Sequence, residues 1–292
     1  MKNKIGIILG ILLLASVGCS RVALTGRKQL LLVSDAEVLG LSNQNYSQYM
    51  ASAKKSTNVQ NTQLVNTVGR KIAAAVETYM RNNGMESQLA NFSWEFNLVQ
   101  DPTPNAFCMP GGKIVVYEGI LPYTRNEEGL AIVLGHEVAH AVARHSAEQM
   151  SRQLLANYGG QALGVATSGK SKATQLLAQQ VFGLGAQYGV MLPYSRQNET
   201  EADEIGLIFA AMAGYNPQAA VAFWKRMSSG GGSSTPEFMS THPSDETRIE
   251  NLEKKVPMAM KYYTGKASSP TTTVKGVKGT LVPLNTIINK KK

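Results

Sequence analysis

The chain has 292 residues, with 29 Lys and Arg against 20 Asp and Glu and a formal charge of +9 at neutral pH. That length is enough for a full hydrophobic core in one domain with appendages. The basic residues are spread along the chain and interleave with no aromatic cluster, which argues against nucleic acid as a partner and suits attraction to a membrane surface.

Residues 1–19 carry Lys2 and Lys4, an apolar run from Ile5 to Val17, then Gly18 and Cys19. The run is too short for a comfortable membrane span and reads as a signal peptide of an exported chain. Ser16-Val17-Gly18-Cys19 resembles the lipobox of bacterial lipoproteins, with serine where leucine is usual, so Cys19 is the expected lipid attachment point. If Cys19 carries lipid, Cys108 has no partner for an intramolecular disulfide, and the fold must be stable by its core alone.

Ser34-Asp35-Ala36-Glu37 is a capping box that opens a helix to about Lys55. A second helix, from Gln60 to about Arg81, has Leu64, Val68, Ile72, Val76 and Tyr79 along one side. From Phe92 to Val99 the period changes to two, with Phe92, Trp94, Phe96 and Leu98 on one face of a strand. Asn105 to Met109, a Pro110-Gly111-Gly112 turn and Lys113 to Tyr117 read as a hairpin. The expectation is a small antiparallel sheet whose exposed edge could lay an extended peptide across a neighbouring site, near Asn105 and Ala106.

Directly after this sheet comes Leu134-Gly-His-Glu-Val-Ala-His140. Asn126, Glu127 and Glu128 look like a helix cap and an acidic first turn, and Leu130, Val133, Leu134 and Val138 follow at helical spacing. On a helix, His136 and His140 project from one face a turn apart and can grip one metal ion. Glu137 falls beside that face as a general base able to take a proton from the attacking water. Polar groups among alanine, valine and leucine need partners, and zinc is the obvious one. His145, five residues beyond His140, lies on a different face and reads as structural.

Between residues 149 and 192 an Ala/Gly/Gln/Leu-rich stretch suggests a helical hairpin, a packed element or a lid over the cleft. Then Tyr194 to Asp203 enters an apolar helix. Glu199 and Asp203, four apart, share a face: one can ligate the metal while the other accepts the second N–H of a ligand histidine. His136, His140 and Glu199 make a two-histidine, one-glutamate zinc site with an open position for water, and Glu201 points elsewhere. His242, between a Gly/Ser-rich run and a Ser244-capped helix carrying Arg248, could cap a loop, swing onto the open zinc position and block it, or donate to the tetrahedral intermediate. Residues 265–292 read as a flexible basic tail, with a short strand at Gly279 to Pro283.

His136-Glu137-x-x-His140 with Glu199-x-x-Ala202-Asp203, preceded by Asn105-Ala106-Phe107 and Pro110-Gly111-Gly112 and followed by Thr241-His242-Pro243 and Arg248, resembles peptidase family forty-eight of the metallo class. That family includes the CAAX prenyl endopeptidases and HtpX. The lipobox with Thr25-Gly26-Arg27 soon after it is similar to the periplasmic lipoprotein branch typified by BepA and LoiP. The likeness covers roughly residues 20–255.

The resemblance implies an α+β, mostly helical, zincin-like (gluzincin) domain over residues 20–264, with one zinc held by His136, His140 and Glu199. It implies Glu137 as catalytic base, Asp203 behind a ligand, and Asn105 and Ala106 against the substrate backbone. It further implies a periplasmic endopeptidase, anchored to the outer membrane through Cys19, that acts on unfolded or misassembled envelope proteins near the outer-membrane assembly machinery. Cys108 departs from the family's usual apolar residue. Tyr194, Arg196, His242 and Arg248 are the candidate oxyanion donors. A lipid-anchored chaperone-like factor with a plugged zinc site is the alternative.

Overall fold

The computed structural model describes residues 19–22, 24–158, 195–229, 238, 239, 242 and 246–265. The expected signal peptide, most of the 149–192 hairpin and the basic tail lie outside these residues.

A short hairpin comes first: β1 (Cys19–Arg21) pairs antiparallel with β2 (Lys28–Leu30). Helix α1 (Asp35–Ser52) starts where the capping box places it, the Ser34 side chain accepting from the Glu37 N–H. Helix α2 (Val59–Asn82) buries Leu64, Val68, Ile72 and Val76 along one stripe. After the short α3 (Glu86–Leu89) come three strands, β3 (Glu95–Val99), β4 (Ala106–Met109) and β5 (Lys113–Tyr117).

The sheet is mixed, which corrects the antiparallel expectation. Its order is β3-β5-β4, with β4 and β5 antiparallel but β3 and β5 parallel. Only the tight turn dictates a pairing. Gly111 and Gly112 take left-handed backbone (φ 90° and 80°), and a Cβ on Gly112 would meet the Trp94 ring at 2.5 Å. The longer link from β3 to β4 carries no such signal, so β4 can land one strand away and become the edge.

Alternation along the strands serves two cores. Leu98, Ala106, Cys108, Ile114 and Val116 face the larger one with α2, while Val99, Phe107, Met109, Val115 and Tyr117 face a smaller one with α1. Both faces are thus covered, and the edge β4 lies beside α5 (Glu127–Val142).

Helix α5 follows a 3-10 turn and α4 (Leu121–Thr124), and its cap is Asn126, which accepts from the Gly129 N–H. Every residue from Gly129 to Val142 is buried. Helix α6 (His145–Tyr158) begins before the expected Gln149 because Arg144, at φ 61°, breaks α5 and redirects the chain. Helix α7 (Arg196–Met212) is capped by Ser195 and packs along α5. The two helices nearly touch at glycines: a Cβ on Gly135 would meet the Gly206 carbonyl oxygen at 2.7 Å. Helices α8 (Ala219–Ser229) and α9 (Glu246–Ala259) close the far side. No helix among the described residues is long and apolar enough to cross a membrane.

Candidate metal centre

The Gly135–Gly206 crossing brings one turn of α5 against the first turns of α7, so residues distant in sequence share a pocket. His136 and His140 come from α5, Glu199 from α7, and His242 from the segment before α9. Their four ligand atoms lie within 4.8 Å of one another, and all four residues are buried. His136 Nε2 is 3.1 Å from His140 Nε2 and 3.2 Å from His242 Nδ1. Glu199 oxygens lie 3.4 Å from His136 Nε2, 3.3 Å from His140 Nε2 and 3.1 Å from His242 Nδ1.

Four nitrogen and oxygen donors placed tetrahedrally at about 2.0–2.1 Å from an ion stand about 3.3 Å apart. The five distances just given match that spacing, and lone pairs crowded so closely without a cation would repel. The donor set therefore fits a divalent metal. Sequence leaves three roles open for His242; in the structure its Nδ1 stands beside His136 Nε2 and Glu199 as a fourth candidate donor.

Charges around the cluster are arranged to favour a cation. Burial opposes ionisation of Glu199, yet His242, His136 and His140 hold its carboxyl well below the usual range. Burial drives His140 well below an ordinary imidazole, with only Glu199 pulling the other way, so its ring stays neutral and able to ligate. Burial acts on His136 too, but Asp203 and Glu199 outweigh it and leave its pKa raised.

Asp203 Oδ1 is 3.0 Å from His136 Nδ1, the nitrogen that faces away from the cluster. Arg248 grips Asp203 with both arms, Nε at 2.9 Å and Nη2 at 2.7 Å, and reaches Glu199 with Nη1 at 3.1 Å. Its guanidinium stacks 3.5 Å over the Trp224 ring. Arg248 is thus engaged in holding the ligands, and Arg196 is exposed on α7. Tyr194 lies outside the described residues.

Glu137 sits beside the cluster, buried, with Oε1 3.3 Å from His242 Nε2. That oxygen accepts no hydrogen bond among the described residues. Burial raises the carboxyl to about 7, with Glu199 adding to the rise and His242, the Cys108 backbone N–H and Arg248 opposing it. The N–H of Cys108 belongs to β4, so the edge strand and the carboxylate are in contact. Asn105 and Ala106 lie buried at the start of that strand, the Asn105 Oδ1 accepting from the Ala106 N–H at 2.8 Å. The Phe238 N–H bonds to Pro104 O at 3.0 Å and the His242 N–H to Phe238 O at 3.0 Å, so the His242 segment is pinned at the entrance to β4. The Cys108 side chain is a buried thiol, pushed up by burial and by Glu137.

Two residues read from sequence as bystanders stand close to the cluster. His145 Nδ1 is 2.9 Å from His140 Nδ1, and His145 Nε2 is 3.0 Å from Glu201 Oε2. Arg27, which sequence reading used only as part of a motif, contacts Glu201 at 2.7 Å. The side chain of Cys19 is outside what the structure describes.

A histidine pair one helical turn apart, a glutamate from a second helix packed against the first and a buried carboxylate alongside define a metallopeptidase-type site. Residues 34–256 match the profile of Peptidase family M48, and the chain belongs to that family. It is 41% identical over 175 residues to the mitochondrial metalloendopeptidase OMA1 of Schizosaccharomyces pombe, a stretch covering 59% of this chain and 50% of that protein. It is 31% identical over 244 residues to the human mitochondrial metalloendopeptidase OMA1, covering 82% and 46%. It is 28% identical over 205 residues to the beta-barrel assembly-enhancing protease of Escherichia coli, covering 66% and 38%. The chain thus spans about half or less of the length of these relatives, and they include mitochondrial as well as bacterial proteins.

Proposed function

We propose that this chain is a zinc-dependent endopeptidase of zincin-like (gluzincin) arrangement, held latent by His242. The observation that carries the proposal is the four-donor cluster with Glu137 beside it. A nitrogen-rich donor set of this size suits zinc above the harder divalent ions. His136, His140 and Glu199 would hold it; when bound, it supplies Lewis acidity toward a water and the scissile carbonyl.

The chain's own residues do the rest. Glu137 takes the proton of the attacking water and delivers it to the leaving amine. The edge strand β4, with no further strand beside it among the described residues, takes up an extended substrate backbone near Asn105 and Ala106, which brings a peptide bond next to the carboxylate. Asp203 and Arg248 fix the His136 ring. His242 occupies the fourth donor position at rest, so substrate entry requires its ring to leave, and its Nε2 is then a donor candidate for the oxyanion.

The cellular role extends this reading. The expected leader and Cys19 support a lipid-anchored protein of the bacterial envelope, and the net charge of +9 suits anionic lipid; with a relative named for beta-barrel assembly, unfolded or unassembled outer-membrane proteins are the proposed substrates. The test is cleavage of an unfolded protein by purified residues 20–292, with metal content measured on the same sample and Glu137→Gln as control. Cleavage by the wild type alone, with one zinc per chain, is expected; retained cleavage by Glu137→Gln would remove Glu137 from the mechanism. His242 in the fourth position also favours a second reading, a chaperone-like factor whose site stays closed. His242→Ala separates them, because only a latent peptidase gains cleavage.

A further inference from the structure

His140 presents Nε2 to the cluster and Nδ1 to His145, at 2.9 Å. His145 has no exposed surface, and its other nitrogen meets Glu201 at 3.0 Å. Glu201 accepts from Arg27 Nε at 2.7 Å and from the Thr25 hydroxyl. The same guanidinium reaches Glu148 on α6 with Nη1 at 2.9 Å and Nη2 at 2.7 Å. Four side chains from β2's approach, α7, α6 and α5 thus form one line that ends on a metal-facing ring.

The hydrogens follow from the two ends. With the Nε2 lone pair of His140 facing the ion, its proton is on Nδ1, which donates to His145 Nδ1. His145 then carries its proton on Nε2 and donates it to Glu201. Arg27 and Thr25 can only donate toward Glu201 by their own N–H and O–H. One assignment satisfies every group in the line.

The two ligand rings therefore differ in their support. His136 meets a carboxylate directly, through Asp203, whereas the described residues connect His140 to a carboxylate through a second imidazole. An imidazole held by its neighbour's position rotates if that neighbour moves, so the setting of His145 matters to the metal. Arg27 fixes it by clamping Glu148, three residues along α6 from His145, and Glu201 on α7 with one rigid fork.

We propose that Arg27, acting through Glu201 and His145, is a positioning residue for the metal ligand His140, which makes the β1–β2 hairpin a working part of the metal centre. The inference rests on the reading of His140 as a ligand. Lifting the hairpin withdraws Arg27 and Thr25 together, which leaves Glu148 to Arg152 and Asn198 and, among the described residues, Glu201 to His145 alone, and the His140 ring loses its fixed orientation without any change in the ligands themselves.

The test is the zinc dissociation constant of the full chain, measured by competition with a chromophoric chelator, for the wild type, Arg27→Gln, His145→Phe and the double variant. Loss of a residue that orients a metal ligand costs about 10–100-fold in affinity. Each single variant is expected to weaken zinc by at least about tenfold, and the double variant to be no weaker than His145→Phe, because the line is already cut. Arg27→Lys keeps the cation but not the fork, and its expected smaller loss carries the comparison if Arg27→Gln does not fold. Unchanged affinity in the Arg27 variants, or losses that multiply in the double variant, would overturn the inference alone. A wild type that binds no zinc would overturn the metal-centre reading and this inference with it.

Discussion

Glu137 is a carboxylate that the fold keeps out of water while leaving one oxygen without a hydrogen-bond partner among the described residues. Such a group is costly to bury. Replacing it with glutamine keeps its shape and leaves His136, His140 and Glu199 in place, so zinc content should not change while turnover falls by about 10²–10⁴-fold; metal analysis and kcat on one preparation check both. At His242 the expected sign is opposite. Removing a fourth donor from a cluster of three others should raise kcat/KM for an unfolded substrate, and an initial-rate assay of His242→Ala reads it directly. The two histidines of α5 were legible from sequence because a spacing of four is the period of the helix itself. Glu201, His145 and Arg27 were not, because each is ordinary in its own segment and their meeting depends on how three elements dock.

Between elements, the decisive contact is the crossing of α5 and α7. Gly135 and Gly206 admit the approach: a Cβ on Gly206 would stand 2.8 Å from the backbone nitrogen of His136. Gly206→Ala must push the helices apart at the point where His136 and Asp203 face each other. Overpacking of this kind costs about 1–3 kcal/mol, and the metal site should suffer beyond it. A lower melting temperature together with weaker zinc binding is expected, the first by thermal unfolding and the second by chelator competition. The helices and strands themselves were readable from caps, turns and periodicity, with boundaries within a few residues for α1 and α2. The parallel pairing of β3 was not, since a hairpin turn names its two strands and is silent about a third.

Across the whole molecule, the ion pairs around Arg27 tie the N-terminal hairpin to α6 and α7. Burial would raise Glu148 and Glu201, but Arg27 with Arg152 and Asn198 for the first, and His145, Thr25 and Arg27 for the second, holds both below the ordinary value of 4.5. A lowered folded pKa means the unfolded chain binds protons first on acidification. The stability from these groups is therefore complete above about pH 4.5 and is lost as pH falls through their lowered values. In Arg27→Ala, burial is no longer offset to the same degree, so the loss should begin at higher pH. Urea midpoints measured from pH 7 down to pH 4 on both proteins test the displacement. Removing metal at pH 7 should also lower the unfolding free energy, by about 2.7 kcal/mol where free zinc had stood a hundredfold above Kd, and the difference should fade toward pH 4 as the histidine ligands protonate.

The two arginines at the margins of the described fold bear on one ion. Arg248, in α9, stands behind His136 through Asp203, and Arg27, beside β2, stands behind His140 through Glu201 and His145. A chain made from its N-terminus presents Arg27 long before Arg248. Support behind both rings is then complete only when α9 docks, so the two halves of the cluster are braced at different times in the life of the chain.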